Sequence, residues 1–143
     1  MTLSHFDHLV LAARQQDQPQ RLLLVFVSTE LPDDASAQQQ AQFLAGFGGA
    51  LVPVMCVDKT PVEITDFLAM RQEAAQFGMP WSLVFASSLA GFAQQEPNSE
   101  AVETALQRMV ESIKLGNLTN MIAFDTNGDA LDLSAANPLT DAL

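Results

Sequence analysis

The sequence predicts a single α/β or α+β domain, in which a mixed sheet of about five strands is flanked by helices. Segments with helical periodicity alternate with strand-like segments in the order α-β-α-β-α-β-α-β-β, which predicts a sheet that is mainly parallel at its centre. The run at 22–27 is apolar without alternation, as is typical of a central strand covered on both faces. The pair Asn127-Gly128 separates two short strand-like segments and predicts a C-terminal β-hairpin with a type I′ turn.

The first helix is predicted to have Ser4 as its N-cap, and the buried strand at 22–27 follows after a polar break. A Gln-rich helix is expected at about 35–45 and is ended by the glycines that follow it. The second strand is predicted at 50–57. Because Pro53 cannot donate a hydrogen bond to a neighbouring strand, this strand is expected at an edge of the sheet or at a bulge.

The strongest helix signal begins at Thr60, where Pro61 suits the first helical position and Glu63 completes a capping box. This helix is expected to continue to Gly78. A third strand is predicted at 81–87. The residues expected to form the buried stripe of the helix are Ile64, Phe67, Leu68, Ala74 and Ala75.

The last helix follows a polar linker and is predicted to be capped by Asn98 or Ser99. The two strands of the hairpin are expected at 118–125 and 129–133. Residues 134–143 have little pattern and are expected to fray. The whole chain of 143 residues is predicted to form one domain.

Acidic residues dominate the charge, with 17 Asp and Glu against 6 Lys and Arg and a formal net charge of −11. Nucleic acids and anionic membranes are bound by clustered cations, whereas here the cations are scattered, so neither partner is expected. Acidity commonly serves solubility, and the more specific alternative is a basic protein partner. The N-terminus lacks the regions of a signal peptide, and no apolar stretch approaches the ~20 residues of a membrane helix. A cytoplasmic location is therefore expected.

No metal or cofactor is expected from this sequence. Cys56 is the only cysteine and lies in the apolar run at 54–57, so it is predicted to be a small buried hydrophobic residue. His5 and His8 are the only histidines, and a solvated helix face is expected for them because further zinc ligands are missing. The segment 125–129 resembles the start of a calcium loop but lacks the glycine and the glutamate that such a loop needs at its later positions.

The carboxyl ends of the predicted strands carry the candidate site, because ligands of parallel sheets bind in the crevice beyond these ends. The ligand would be a small molecule or an anion, held by Lys59 and by amide groups at the start of the helix after Thr60. The alternative is that Asp58 and Thr60 have turn and capping roles. No catalytic residue is assigned. The candidate ligand-binding residues are Glu30, Asp58, Lys59, Thr60, Ser87 and Ser88.

Four segments, at 19–26, 48–61, 80–85 and 106–114, carry a resemblance over nearly the whole chain. They resemble a family of small proteobacterial proteins of unknown function, some of which are labelled "ribonucleotide reductase subunit alpha". A fainter similarity links the helix-strand-strand-helix order and the Leu-Val-Pro-Val segment to SseB-like domains of bacterial secretion and regulatory proteins. Ribonucleotide reduction needs several cysteines, for a thiyl radical and for a reducing dithiol, and Cys56 alone argues against that activity. Neither resemblance implies catalytic residues.

Two hypotheses about function follow. The first is a non-enzymatic protein-interaction or regulatory domain, which binds a protein partner or forms a homo-oligomer; it rests on the acidity and on the lack of a complete catalytic set. The alternative is a small-molecule- or anion-binding protein, or a minor enzyme, that uses the crevice at the strand ends. Protein partners without stabilisation by metabolites would favour the first hypothesis, and the reverse would favour the second.

Overall fold

The computed structural model describes residues 4–30, residue 37 and residues 50–131. The predicted helix at 35–45 lies outside the described residues, except for Ala37, which is helical. The glycines after this helix and the tail at 134–143 also lie outside them. None of the helices in the described part of the chain is long and apolar enough to cross a membrane. In chain order, the elements are α1 (Phe6–Arg14), β1 (Gln20–Glu30), β2 (Ala50–Lys59), the 3₁₀ turn η1 (Pro61–Glu63), α2 (Phe67–Ala75), β3 (Leu83–Ala90), α3 (Ser99–Lys114), β4 (Ile122–Phe124) and β5 (Ala130–Leu131).

The five strands form one sheet in the order β2-β1-β3-β4-β5. The α/β class, the five strands, the flanking helices and the C-terminal hairpin are thus confirmed. The prediction of a mainly parallel centre is wrong, because each neighbouring pair of strands is antiparallel. β2 and β3 point in the same direction and lie on either side of β1, so the connection that contains η1 and α2 crosses β1. Helix α3 connects β3 to its antiparallel neighbour β4.

Strand β1 is buried on both faces, as the unbroken apolar run at 22–27 predicts. Strand β2 is an edge strand of the sheet, and its pairing with β1 shifts register between Phe26 and Val27. Phe26 pairs with Met55 and Val27 pairs with Pro53, which leaves Val54 as the extra residue of a bulge. The edge and the bulge that Pro53 predicts are therefore both present.

Alternate side chains of β1 belong to two separate cores. Leu22, Leu24 and Phe26 pack with residues of α1 and α2 on one face of the sheet. Leu23, Val25 and Val27 pack with residues of α3 on the other face. Because each of these side chains is almost completely buried, each contributes about 1.5–3 kcal/mol to folding by transfer from water. The sheet is thus the middle layer of three.

Two helices begin later than predicted. The N-cap of α1 is His5 rather than Ser4, because the His5 Nδ1 atom accepts a hydrogen bond from the Asp7 N–H. The helix expected from Pro61 is interrupted after η1, and α2 begins after a separate N-cap, Asp66.

The buried face of α2 differs from the predicted stripe at Leu68 and Ala75, which are both exposed. Met70 is buried in place of the predicted Leu68, which is 52% exposed. Ile64, Phe67 and Ala74 are buried as predicted.

The turn at Gly128 joins β4 to β5. The Gly128 N–H donates to the carbonyl oxygen of Asp125, and the Asp125 carboxylate accepts hydrogen bonds from the N–H groups of Asn127 and Asp129. Gly128 has a φ of +86°, but Asn127 is not among the described residues with a positive φ. The predicted type I′ turn, which needs a positive φ at both central residues, is therefore wrong. The arrangement fits a three-residue loop that ends in a left-handed glycine.

Candidate functional site

The antiparallel sheet separates Glu30 from the other candidate residues. Glu30 pairs with Ala50 at one end of the sheet, whereas Asp58 and Ser87 both pair with Leu23 near the other end. The prediction that all the strand ends meet at one crevice is therefore wrong for Glu30, because β1 runs opposite to β2 and β3. Asp58 and Ser87 do lie at the same end, separated by β1, which places their backbones about 9–10 Å apart.

Asp58 forms the best-defined ion pair at this end of the sheet. Its Oδ2 atom lies 2.7 Å from both Nε and Nη2 of Arg21. The Nη1 atom of Arg21 also lies 3.9 Å from Glu96. Both members of the Arg21–Asp58 pair are about two-thirds buried, so they fix the position of this end of β2 against β1.

Lys59, Thr60 and Ser88 contact other protein groups instead of meeting at one site. The Nζ atom of Lys59 lies 2.6 Å from the Glu73 carboxylate of α2, on the face of the sheet opposite to α3. The hydroxyl of Ser88 donates to the Gln20 side chain at 2.7 Å. The α-helix predicted to start after Thr60 is a single 3₁₀ turn, so it supplies no extended helix dipole for an anion. A shared ligand site for these residues stays a prediction.

The contact between Thr60 and Glu63 gives a pH-dependent prediction. The backbone N–H and the hydroxyl of Thr60 both donate to Glu63 Oε1 at 2.8 Å, and these bonds hold the pKa of the Glu63 carboxyl below its usual value. A lowered folded-state pKa stabilises the protein above the unfolded-state pKa, and this stabilisation is lost as the pH falls through the folded-state pKa. We therefore expect the free energy of unfolding of Glu63→Gln to fall less steeply than that of wild type as the pH is lowered. The difference in free energy should stay below about 1 kcal/mol, because the Glu63 carboxyl is exposed.

Urea unfolding between pH 3 and pH 7 measures this slope. Glu63→Ala is the control, since it removes the hydrogen-bond acceptor as well as the titrating group and should cost about 0.5–1 kcal/mol at neutral pH. Equal slopes for wild type and Glu63→Gln would contradict the assigned hydrogen bonds.

Helix α3 lies across the sheet as a ridge with a depression on each flank. We call the depression between α3 and the edge strand β2 the β2-side groove; its volume is about 970 Å³, and an adjoining recess of about 330 Å³ shares Glu103 and Leu106 with it. The recess extends the groove to the Arg21–Asp58 pair. The residues of the groove used below are Cys56, Glu103, Leu106, Gln107, Val110, Glu111 and Leu115.

Apolar and acidic side chains share the β2-side groove. Leu106, Val110 and Cys56 form its apolar part, and Leu115 at its far end is 82% exposed. Cys56 is exposed, so the prediction of a buried cysteine is wrong. The reason is that Cys56 lies on the edge strand β2, and α3, which packs on both β1 and β2, does not cover this position.

The opposite flank of α3 borders a second depression, which we call the β3-side cleft. This cleft has a volume of about 620 Å³, within the usual range for small-molecule sites. Ser87 and Ser88 of β3 lie on one wall, and Thr104, Arg108 and Ser112 of α3 lie on the other. Hydroxyl groups and one guanidinium are suited to an anionic group, so this cleft retains Ser87 of the predicted ligand-binding residues. The side chain of Ser88 lies on the other face of the sheet, where its hydroxyl donates to Gln20.

The spacing of residues along α3 accounts for the difference between the two depressions. Glu103, Gln107 and Glu111 recur every four residues and form one row, which lines only the groove. Thr104, Arg108 and Ser112 form the next row, which borders both depressions. Neither row was predicted from the sequence, because only the apolar, buried face of this helix was used to place it. The fourfold spacing was the signal that could have revealed them.

The fold and the two depressions define a three-layer α/β protein with two candidate binding surfaces on one helix. In the described residues, no group of three or more His, Cys, Asp or Glu side chains is arranged to hold a metal ion. Comparison with protein-family models, curated proteins and solved structures gives no match to this chain. The family resemblance stated above therefore stays a prediction.

Proposed function

We propose that this protein is a protein-interaction domain that binds its partner in the β2-side groove. The observation that carries the proposal is an apolar groove about 970 Å³ in volume, with exposed side chains at its rim. Apolar surface lost from water on binding supplies the affinity, and the rim selects the partner. Leu115 lies at the end of the groove and is exposed enough to contact a partner without supporting the fold.

A second candidate function is the binding of a small anion in the β3-side cleft. Arg108 favours it, because a guanidinium flanked by the hydroxyl groups of Thr104 and Ser112 offers several hydrogen-bond donors to a phosphate or a carboxylate. The carboxylate of Glu100 lines the same cleft and opposes an anion there. For this reason we rank the cleft below the groove.

Photo-crosslinking in the source cells tests the proposal. A photoreactive amino acid at Gln107, on the rim of the groove, is expected to give one discrete protein adduct. The same group at Gln76, which is exposed at the end of α2 on the other face of the sheet, should not give it. Leu115→Gln should reduce the adduct severalfold without changing the melting temperature.

A parallel thermal-shift measurement with phosphate, simple carboxylates and nucleotides tests the second candidate. The interaction proposal would be overturned in favour of the cleft by two results together. One of these compounds would raise the melting temperature of wild type but not of Arg108→Gln, and position 107 would give no adduct. Adduct formation without stabilisation by any of these compounds supports the groove.

A further inference from the structure

We infer that the partner held in the β2-side groove is a basic amphipathic helix. This inference rests on the proposed function and assigns a chemical class to the partner. Three properties of the groove support it: the shape of its helical wall, the sign of its charge, and the net charge of the whole chain.

The shape of the wall fits a helix. Glu103, Gln107, Glu111 and Leu115 follow one another at intervals of four residues, and such a row forms a ridge that packs into the groove of a second helix. The row spans about 18 Å along the helix axis, which matches about 12 residues of a helical partner. On the strand side, the bulge at Val54 and the missing N–H of Pro53 interrupt β2, which disfavours a partner that adds a further strand.

The charge along the groove is negative. Glu103 and Glu111 are exposed on its rim about 12 Å apart, and neither forms a salt bridge with the described residues. Arg21, at the recess, is already paired with Asp58 and Glu96. Arg108 also lines the groove, so Glu103, Glu111 and Arg108 together give this wall a net charge of −1.

Two basic side chains spaced two helical turns apart would therefore face two free carboxylates, while the apolar side of the partner covers Leu106 and Val110. This is the usual mode of helix-in-groove recognition.

The net charge argues against a second copy of this chain as the occupant. Each chain carries a formal charge of −11, so two copies repel each other, most strongly at low ionic strength. A basic partner is attracted by the same field, and the attraction raises its association rate.

Protection of the native Cys56 thiol tests the inference on the full chain. Cys56 lines the groove and is exposed, and as the only cysteine it is the only thiol that a maleimide can label. A 15-residue helical peptide with Leu on one face and Lys on the other should slow this labelling. A matched peptide with Glu in place of Lys should not. A Cys56→Ser, Gln76→Cys variant is the control, and the labelling of its thiol should not change with either peptide.

Charge-neutral variants identify the contacts. Glu103→Gln with Glu111→Gln should weaken binding of the Lys peptide by about 3- to 30-fold, as expected for two exposed ion pairs. Asp17→Asn with Asp129→Asn removes the same number of charges from exposed positions that line neither depression, and should leave the affinity unchanged.

Equal protection by both peptides would overturn the inference, and so would equal affinity of the double variant and wild type. The inference would also be overturned, in favour of a second copy, if sedimentation showed that the protein self-associates without any peptide and if Cys56 were protected from the maleimide in that associated form. An adduct from position 107 without binding of the Lys peptide rejects the basic helix but leaves the proposed function standing. If position 107 gives no adduct and the Lys peptide does not bind, both the basic helix and the proposed function are rejected.

Discussion

Replacing Gly128 with alanine is expected to lower the free energy of unfolding by about 3–5 kcal/mol, through backbone strain and overpacking together. Gly128 has a φ of +86°, a conformation that costs any residue with a Cβ atom. A Cβ atom at this position would also lie 2.7 Å from His5 Nε2 and 2.8 Å from Cγ of Phe67. Contacts this short force the two rings apart, and Gly128→Val should be worse still.

The effect extends beyond the turn because the turn holds the start of α1 in place. The backbone N–H of Phe6 donates to the carbonyl oxygen of Gly128 at 2.8 Å, and the His5 Nε2–H donates to the carbonyl oxygen of Asn127 at 3.0 Å. His5 is also the N-cap of the helix. Displacing the His5 ring therefore weakens the helix cap and the link to the hairpin at the same time.

Gly116→Ala is the matched control for this prediction. Gly116 has a similar φ of +77°, but a Cβ atom there would have no neighbour within 4 Å. Its substitution should cost only the backbone strain, about 1–2 kcal/mol. Urea unfolding of the two variants measures the difference. Equal losses would mean that His5 and Phe67 move aside at no cost and that the close packing around Gly128 has no role in stability.

Local sequence signals correctly predicted the features that depend on burial and hydrogen-bond donors. The apolar run at 22–27 marked a strand buried on both faces, because every side chain there must avoid water. Pro53 marked an edge strand or a bulge, and both are present, because a residue without an N–H costs a ladder hydrogen bond inside a sheet but not at an edge or a bulge. The N-cap of α3 was predicted to be Asn98 or Ser99, and it is Asn98, whose side chain accepts a hydrogen bond from the Ala101 N–H.

Strand direction could not be predicted from these signals. A strand covered by helices on both faces has the same apolar pattern in a parallel and an antiparallel sheet. The direction depends on which strands become neighbours, and here β1 lies between β2 and β3. The same fact removes Glu30 from the candidate site and keeps Asp58 and Ser87 at one end of the sheet.

The candidate binding surfaces depend on the same long-range information. The exposure of Cys56 depends on how α3 lies across β1 and the edge strand β2, which no local pattern around residue 56 encodes. The rows of Glu103 and Arg108 on α3 are visible in the sequence. It becomes visible only after the helix is placed on the sheet that the Glu103 row lines the groove alone and that the Arg108 row borders both depressions.

Phe6→Ala is expected to lower the free energy of unfolding by about 3–5 kcal/mol, the usual range for deletion of a buried phenylalanine. Phe6 is 0% exposed and makes edge-to-face contacts with Phe67 and Phe124, with ring centroids 5.3 Å apart in both pairs. The substitution removes both aromatic contacts and leaves a cavity between α1, α2 and the sheet. Because domains are stable by only about 5–15 kcal/mol, this loss is a large fraction of the total.

Phe92→Ala is the matched control, since the chemical change is identical but the Phe92 side chain is 86% exposed. Its melting temperature should stay close to that of wild type, whereas Phe6→Ala should melt about 10–20 °C lower. Phe6→Leu should fall between them, because leucine fills part of the cavity without restoring the ring contacts. If Phe6→Ala melted within a few degrees of Phe92→Ala, α1 would not be packed against Phe67 and Phe124. In that case the contacts between α1 and the hairpin, through His5 and Gly128, would also have to be abandoned, since Phe6 is the next residue after His5.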